Sequence, residues 1–529
     1  MMTLEWKIPE GIKRNELEKN AGLLPAFPDG MNEEQMKEGS LLLLQSMLAA
    51  YYDGDTGQVQ ILEKQLYDWL REAYAREFGG HVWDYLNMEL LKADARLYAG
   101  VDQWKKAGED LEQCAPYLTR IEQVLATDGS IDMGDRMCLT AACAELEILR
   151  YYQKKHTGAG RDSYRALGES DHFFRWMPEG AENAEMSMEL RVFLGLQQVL
   201  AASKLIPLEE NDRAEACFRR GNEILLCDTL PYGECTFDAV THRIMCLYAE
   251  GMWKFNSPFE SGDVWLKFFN RYRESLSGCK QQVELGLAAT DTAELAPAVL
   301  NGCWALMMSN GVVTATNDPE ADPANLVKQS EFFVNLLPDV LTELKSSAMR
   351  RHRGWDLLLD LMAEQMYMLR LSMLIIQEKI LELQGNYPEA RQKNETVLKE
   401  LNRQDMPTDQ IQQLVIQLTC QYNTVMIELN TGGEDKAYYL ARQTVDMVRQ
   451  TEFGFELPGA EIILSSLCLM AGLGALGLKE KDAARAYAED GLAVVERLEL
   501  KDPAAFPEDL RGIKKELKRV QRKSKGFFF

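Results

Sequence analysis

Apolar residues recur at three- and four-residue steps along almost the whole chain, the spacing that places them on one face of an α-helix. The pattern predicts helices over 41–52, 59–78, 82–99, 104–125 and 136–152, then over 185–204, 212–227, 236–255, 263–289 and 293–308. It resumes over 325–344, 355–383, 388–401 and 408–429, and ends with 436–449, 459–478, 482–498 and 507–522. Strand-like alternation bounded by turns is almost absent, so the expected fold class is all-α. Two segments interrupt the series. His156 to Asn183 is rich in glycine, serine and charge and reads as a long loop, and Gly311 to Pro323 carries Asp-Pro pairs that disfavour helix. Helical modules are therefore expected at 30–155, 184–310 and 324–525, after an N-terminal extension over 1–29.

Within the last module the pattern repeats. Ala390, Ala437 and Ala484 stand 47 residues apart, each opening an amphipathic helix just after a short polar turn. The turns read Gly385-Asn386-Tyr387-Pro388-Glu389, Gly432-Gly433-Glu434-Asp435-Lys436 and Lys479-Glu480-Lys481-Asp482-Ala483. Such a recurrence predicts helical hairpins that stack, each burying its apolar face on the next. Asn211-Asp212 with Ala216 reads as a further copy, and Asp102 to Ala107 as a weaker one.

The turn Gly385-Asn386-Tyr387 followed by Ala390 resembles the junction between the two helices of tetratricopeptide repeats, where a small residue lets the helices approach closely. The likeness covers about 140 residues of the C-terminal third. It implies a helical-hairpin repeat, a tetratricopeptide-like (TPR-like) α-solenoid, with repeats longer than the usual ~34 residues. Glu378, Val425 and Gly472 occupy the position where that family keeps a small residue in its first helix, and only Gly472 fits. The resemblance also implies a concave groove for a peptide or partner helix. Carried over by position, its lining includes Ile375, Lys379 and Glu382, then Tyr422, Met426 and Leu429, then Leu469 and Leu473.

Composition changes this picture little. Apolar residues make up 46% of the 529 and charged residues 26%, as in ordinary folded proteins. The net charge of −24 argues against a general binder of nucleic acid or anionic membrane, so no DNA partner is expected. Eleven cysteines without framework spacing, and a start (Met1 to Glu10) lacking the apolar run of a signal peptide, point to a reducing cytoplasm. Ile462 to Leu478 carries no charge but is short for a bilayer, and it falls where the repeat calls for a buried helix; no membrane span is expected.

Candidate chemistry is sparse. Cys227, Cys235, His242 and Cys246 form the best metal-ligand set, since His242 and Cys246 share a helical face and Pro231-Tyr232-Gly233 can fold the first two back. Against it stands the lack of a tight Cys-x-x-Cys knuckle, and no cofactor is expected. His81 and Asp84 are spaced to pair on a helix, and Arg350-Arg351-His352-Arg353 forms a basic patch that reads as a solvated turn. Phe173-Phe174-Arg175-Trp176 is an aromatic cluster expected to fold back on its own helices. From Arg511 to Lys525 eight basic residues accompany one acid: a terminal capping helix, or a surface for an acidic partner, RNA or membrane. No phosphate loop, dinucleotide fingerprint, nucleophile elbow or zinc-protease motif occurs. The expectation is a protein- or peptide-binding scaffold, regulatory through a partner and without catalysis of its own. The alternative is an all-helical enzyme of the α/α-toroid type with a central pocket.

Overall fold

A computed structural model describes residues 19–158, 160–169, 188–205, 210–225, 353–402, 410–451, 453–457, 459–501 and 508–525, with a few isolated positions besides. Among them there is no strand. The chain divides into two compact units, Met1–Ala249 with Glu343–Met362, and Glu250–Thr342 with Ala363–Phe529.

The described helices of the first unit are α1 (Glu33–Asp53), α2 (Thr56–Ala75), α3 (His81–Gly100), α4 (Trp104–Gln113), α5 (Ala115–Thr127), α6 (Met133–His156), α7 (Gly160–Glu169), α8 (Met188–Leu205) and α9 (Asn211–Leu225). Consecutive helices pack as pairs, α1 on α2, α3 on α4, α6 on α7 and α8 on α9, while α3 also meets α1, α5 and α6. Asn32 opens α1 with a capping box, accepting from Gln35 N–H at 2.9 Å while the Gln35 side chain takes the Asn32 N–H at 3.1 Å.

Two local expectations are corrected here. The helix read over 104–125 is two helices, because Pro116 has no N–H to give and its ring crowds the preceding turn; the chain breaks at Cys114 and Pro116 sits in the first turn of α5. The segment read as a loop from His156 contains α7, whose Tyr164, Ala166 and Leu167 are buried despite the polar residues around them. The remainder of that segment, 170–183, lies outside the described residues, as do the helices expected between 236 and 308.

The second unit takes up α10 (Trp355–Leu383) from Ala363 onward and continues with α11 (Tyr387–Leu401), α12 (Gln410–Asn430), α13 (Glu434–Val448), α14 (Glu461–Gly477), α15 (Lys481–Lys501) and α16 (Glu508–Ser524). From α11 onward every helix packs on the next, and α12 with α14 and α14 with α16 meet across the helix between them. The core is rich in alanine: Ala437, Ala441, Ala471, Ala475, Ala484 and Ala488 are wholly buried with Val425, Val445, Leu467 and Leu517. Helix α14, which holds most of the uncharged stretch, buries Leu464, Leu467, Cys468, Ala471 and Ala475, and among the described residues no helix is long and apolar enough to cross a membrane.

One turn geometry recurs in both units. A residue with left-handed backbone stands five positions before a buried residue at Gly54/Val59, Asp102/Ala107, Gly385/Ala390, Gly432/Ala437 and Lys479/Ala484. Each turn makes the same three bonds. The left-handed residue's N–H returns to the carbonyl three back, the next N–H to the carbonyl five back, and the buried residue's N–H to the carbonyl four back (Gly432 to Leu429, Gly433 to Glu428, Ala437 to Gly433). At Asn211 the match is displaced: Ala214 is buried and Ala216 exposed.

Candidate functional site

Helix α2 carries two stripes. Val59, Leu62, Leu66, Trp69, Leu70 and Ala73 face the core, while Tyr67, Arg71 and Tyr74 stand on an adjacent face at four- and three-residue steps. Tyr67 is 57% and Tyr74 85% exposed, unusual for side chains of this size. Together with α3 and α5 they enclose a cleft of about 670 Å³. Trp83, Asp84 and Asn87 of α3 and Pro116, Tyr117 and Arg120 of α5 line the rest, with Phe78-Gly79-Gly80 closing one end.

The cleft is braced by specific contacts. Asp84 accepts from Arg120 Nε at 2.8 Å, and the Arg120 guanidinium lies 4.9 Å from the centre of the Tyr117 ring. The Phe78 and Trp83 rings stack at 6.0 Å, and Trp83 Nε1 donates to Glu33 at 3.3 Å. Arg71, 65% exposed, has Asp68 at 3.9 Å as its ion-pair partner. Burial pushes the Tyr117 phenol up and hydrogen bonding to Asp84 raises Arg120, so both stay protonated at neutral pH. The result is a cleft lined by five aromatic side chains and by one guanidinium group each from α2 and α5.

The opposite face of α3 carries a buried charge network. Tyr85, Glu89, Lys92 and Arg96 follow one another at helical spacing on the side away from Asp84 and Asn87. Lys92 bonds Glu89 at 2.8 Å and Glu145 of α6 at 2.5 Å, and Arg96 pairs with Glu145 and, at 2.8 Å, with Asp356. Arg353 reaches Glu89 at 2.7 Å and Tyr85 Oη at 3.0 Å, its guanidinium 4.1 Å from the centre of the Trp6 ring. Tyr52 Oη accepts from Gly354 N–H at 3.0 Å and from Arg96 at 3.2 Å. Three cations thus meet three carboxylates, and the surrounding Lys92, Arg96 and Arg353 hold the Glu145 carboxyl far below its usual range against the cost of burial. The network thus lies on the same helix that contributes Trp83, Asp84 and Asn87 to the cleft.

Of the basic patch read as a solvated turn, Arg353 is therefore an interior residue at 4% exposure; Arg350, Arg351 and His352 lie outside the described residues. The spacing that suggested a His81–Asp84 pair is used otherwise: Asp84 takes Arg120, and His81 Nε2 lies 3.7 Å from Asp135. Cys227, Cys235, His242 and Cys246 and the aromatic cluster 173–176 also lie outside the described residues.

The groove residues carried over from the repeat resemblance are placed as follows. Ile375 and Met426 are half-buried; Lys379 pairs with Glu382 at 2.7 Å, and buried Glu382 accepts from Asn430 at 3.0 Å. Tyr422, Leu429 and Leu469 pack against the α12–α16 core, and Leu473 is 37% exposed. The cleft residues of α2, α3 and α5 escaped the sequence reading, although Tyr67, Arg71 and Tyr74 form a stripe beside the core-facing one. Comparison with protein-family models and with curated proteins finds no match for this chain.

Proposed function

We propose that this chain is a protein- or peptide-binding helical-repeat scaffold of tetratricopeptide-like construction, and that it takes a peptide segment in the cleft between α2 and α5. The observation that carries the reading is the cleft itself, with Tyr67 and Tyr74 standing exposed across from Tyr117 and Arg120. Tyrosine, tryptophan and arginine are the residues that dominate binding energy at protein interfaces, because they bury large area at low entropic cost and keep a polar end. A cleft of about 670 Å³ suits a few residues of extended chain. Asp84 is the one carboxylate in its lining and is already engaged by Arg120, which favours binding over two-carboxylate chemistry. The recurring left-handed turn with its buried residue supports the repeat construction. Regulation would act through the bound partner.

The test is selection from a displayed peptide library with the full chain, followed by titration of the enriched sequences. Tyr74→Ala and Tyr67→Ala should each weaken binding by about tenfold or more, the scale of an interface anchor. Enriched peptides that bind both variants as well as the parent would place recognition elsewhere and overturn the reading.

A further inference from the structure

The last helix, α16, carries a line of cations independent of the cleft. Leu510, Leu517 and Val520 are buried against α14 and α15, which accounts for its capping role. Lys514 turns toward α15 and pairs with Glu499 and, at 3.7 Å, with Glu496. On the far side Arg511, Lys515, Lys518, Arg522 and Lys525 are all exposed. Their steps of four, three, four and three residues, at 100° per residue, keep them within an arc of roughly 80° over a length of about 21 Å. No acid falls on that arc between Arg511 and Lys525; Glu516 lies on the flank, paired with Arg519 at 3.3 Å. Arg511 pairs with Glu508 at 3.2 Å and both Arg511 and Lys518 act on the Glu499 carboxylate, whereas among the described residues Lys515, Lys518, Arg522 and Lys525 form no close ion pair, in a chain whose net charge is −24.

We infer that this stripe is a docking surface for an acidic helix of a protein partner. A second helix laid alongside presents carboxylates at the same alternating three- and four-residue steps, so each cation meets one anion without distortion of either helix. A phosphate backbone or an anionic bilayer also offers negative charge, but both extend beyond the stripe and meet the repulsion of an acidic chain. A short acidic helix matches the stripe in length and pitch.

The experiment uses the full chain and two synthetic peptides of identical composition. In one, glutamates occupy positions i, i+4, i+7 and i+11; in the other they are spread around the helix. The first should bind at least about tenfold more tightly, and its affinity should fall steeply as salt rises from ~50 to ~200 mM. Lys515→Glu/Lys518→Glu/Arg522→Glu should abolish binding while Lys515→Arg/Lys518→Arg retains it, both with the helical ellipticity of the parent because all three side chains are exposed. Equal affinity for the two isomers, or indifference to the charge reversal, would overturn the inference. So would tighter binding of a single-stranded RNA or of phosphatidylserine vesicles than of the glutamate-stripe peptide. Failure of the cleft variants leaves this result unaffected, since neither Tyr67 nor Tyr74 lies on α16.

Discussion

Glu145 shows how much one buried side chain can decide. It accepts from Lys92, Arg96 and Arg353, so removing its carboxylate leaves three interior cations facing two remaining anions, Glu89 and Asp356. Breaking a buried pair from one side costs about 3–5 kcal/mol, mostly the burden of uncompensated charge. Glu145→Ala should therefore lower the urea midpoint of the first unit by the equivalent of about 3–5 kcal/mol, as read by helical ellipticity. Tyr52→Phe removes one hydroxyl that receives Gly354 and Arg96, and should cost about 1–3 kcal/mol with the fold intact. The sequence makes Glu89, Lys92 and Arg96 look like an ordinary polar helix face, since the opposing face of α3 is no less mixed. What buries them is the arrival of Arg353 and Asp356 from more than 200 residues away, and no local pattern encodes that.

At the scale of the element, helices were legible and their turns more so. Apolar periodicity located Trp355–Leu383 to the residue, and the alanines at 390, 437 and 484 are buried as their spacing requires. The misses have local causes: Pro116 divides a continuous apolar pattern, and α7 is held by a few buried side chains in a segment of loop-like composition. Glu378 and Val425, too large for the small-residue rule, are nevertheless buried at their positions, Glu378 accepting from Asn423. The turns permit a paired prediction. Gly432 has φ +83° and Lys479 has φ +62° at equivalent places, and only glycine adopts that region without strain from its Cβ. Gly432→Ala should destabilise the second unit by about 1 kcal/mol, whereas Lys479→Gly should stabilise it by a similar amount. Denaturant midpoints for the two variants should move in opposite directions.

At the scale of the whole molecule, among the described residues each unit holds a carboxyl that its surroundings push far up. Burial, with Glu63 hydrogen-bonded to it and Asp110 nearby, pushes Asp94 up to about 8. Burial, with Glu382 adding repulsion that Lys379 and Asn423 only partly offset, pushes Glu378 up to about 8 as well. A raised carboxyl pKa means the folded chain binds more protons than the unfolded one between about pH 4 and pH 8. The stabilisation these groups give is complete below the unfolded value near ~4 and disappears as pH rises through ~8. Glu145 works in the other direction, its stabilisation being present above the unfolded carboxylate value and lost only in strong acid. For these two groups stability should therefore decline as pH rises from about 4 to about 8 and level off above that, well before lysine or tyrosine titrates. Asp94→Asn and Glu378→Gln mimic the neutral acids, so each should change the melting temperature little at pH 4 and raise it at pH 9. The expected gain at pH 9 is several kcal/mol per site, ~5 kcal/mol at most for a shift of about four units. Calorimetry at the two pH values separates this from a general packing effect, which would shift the transition equally at both.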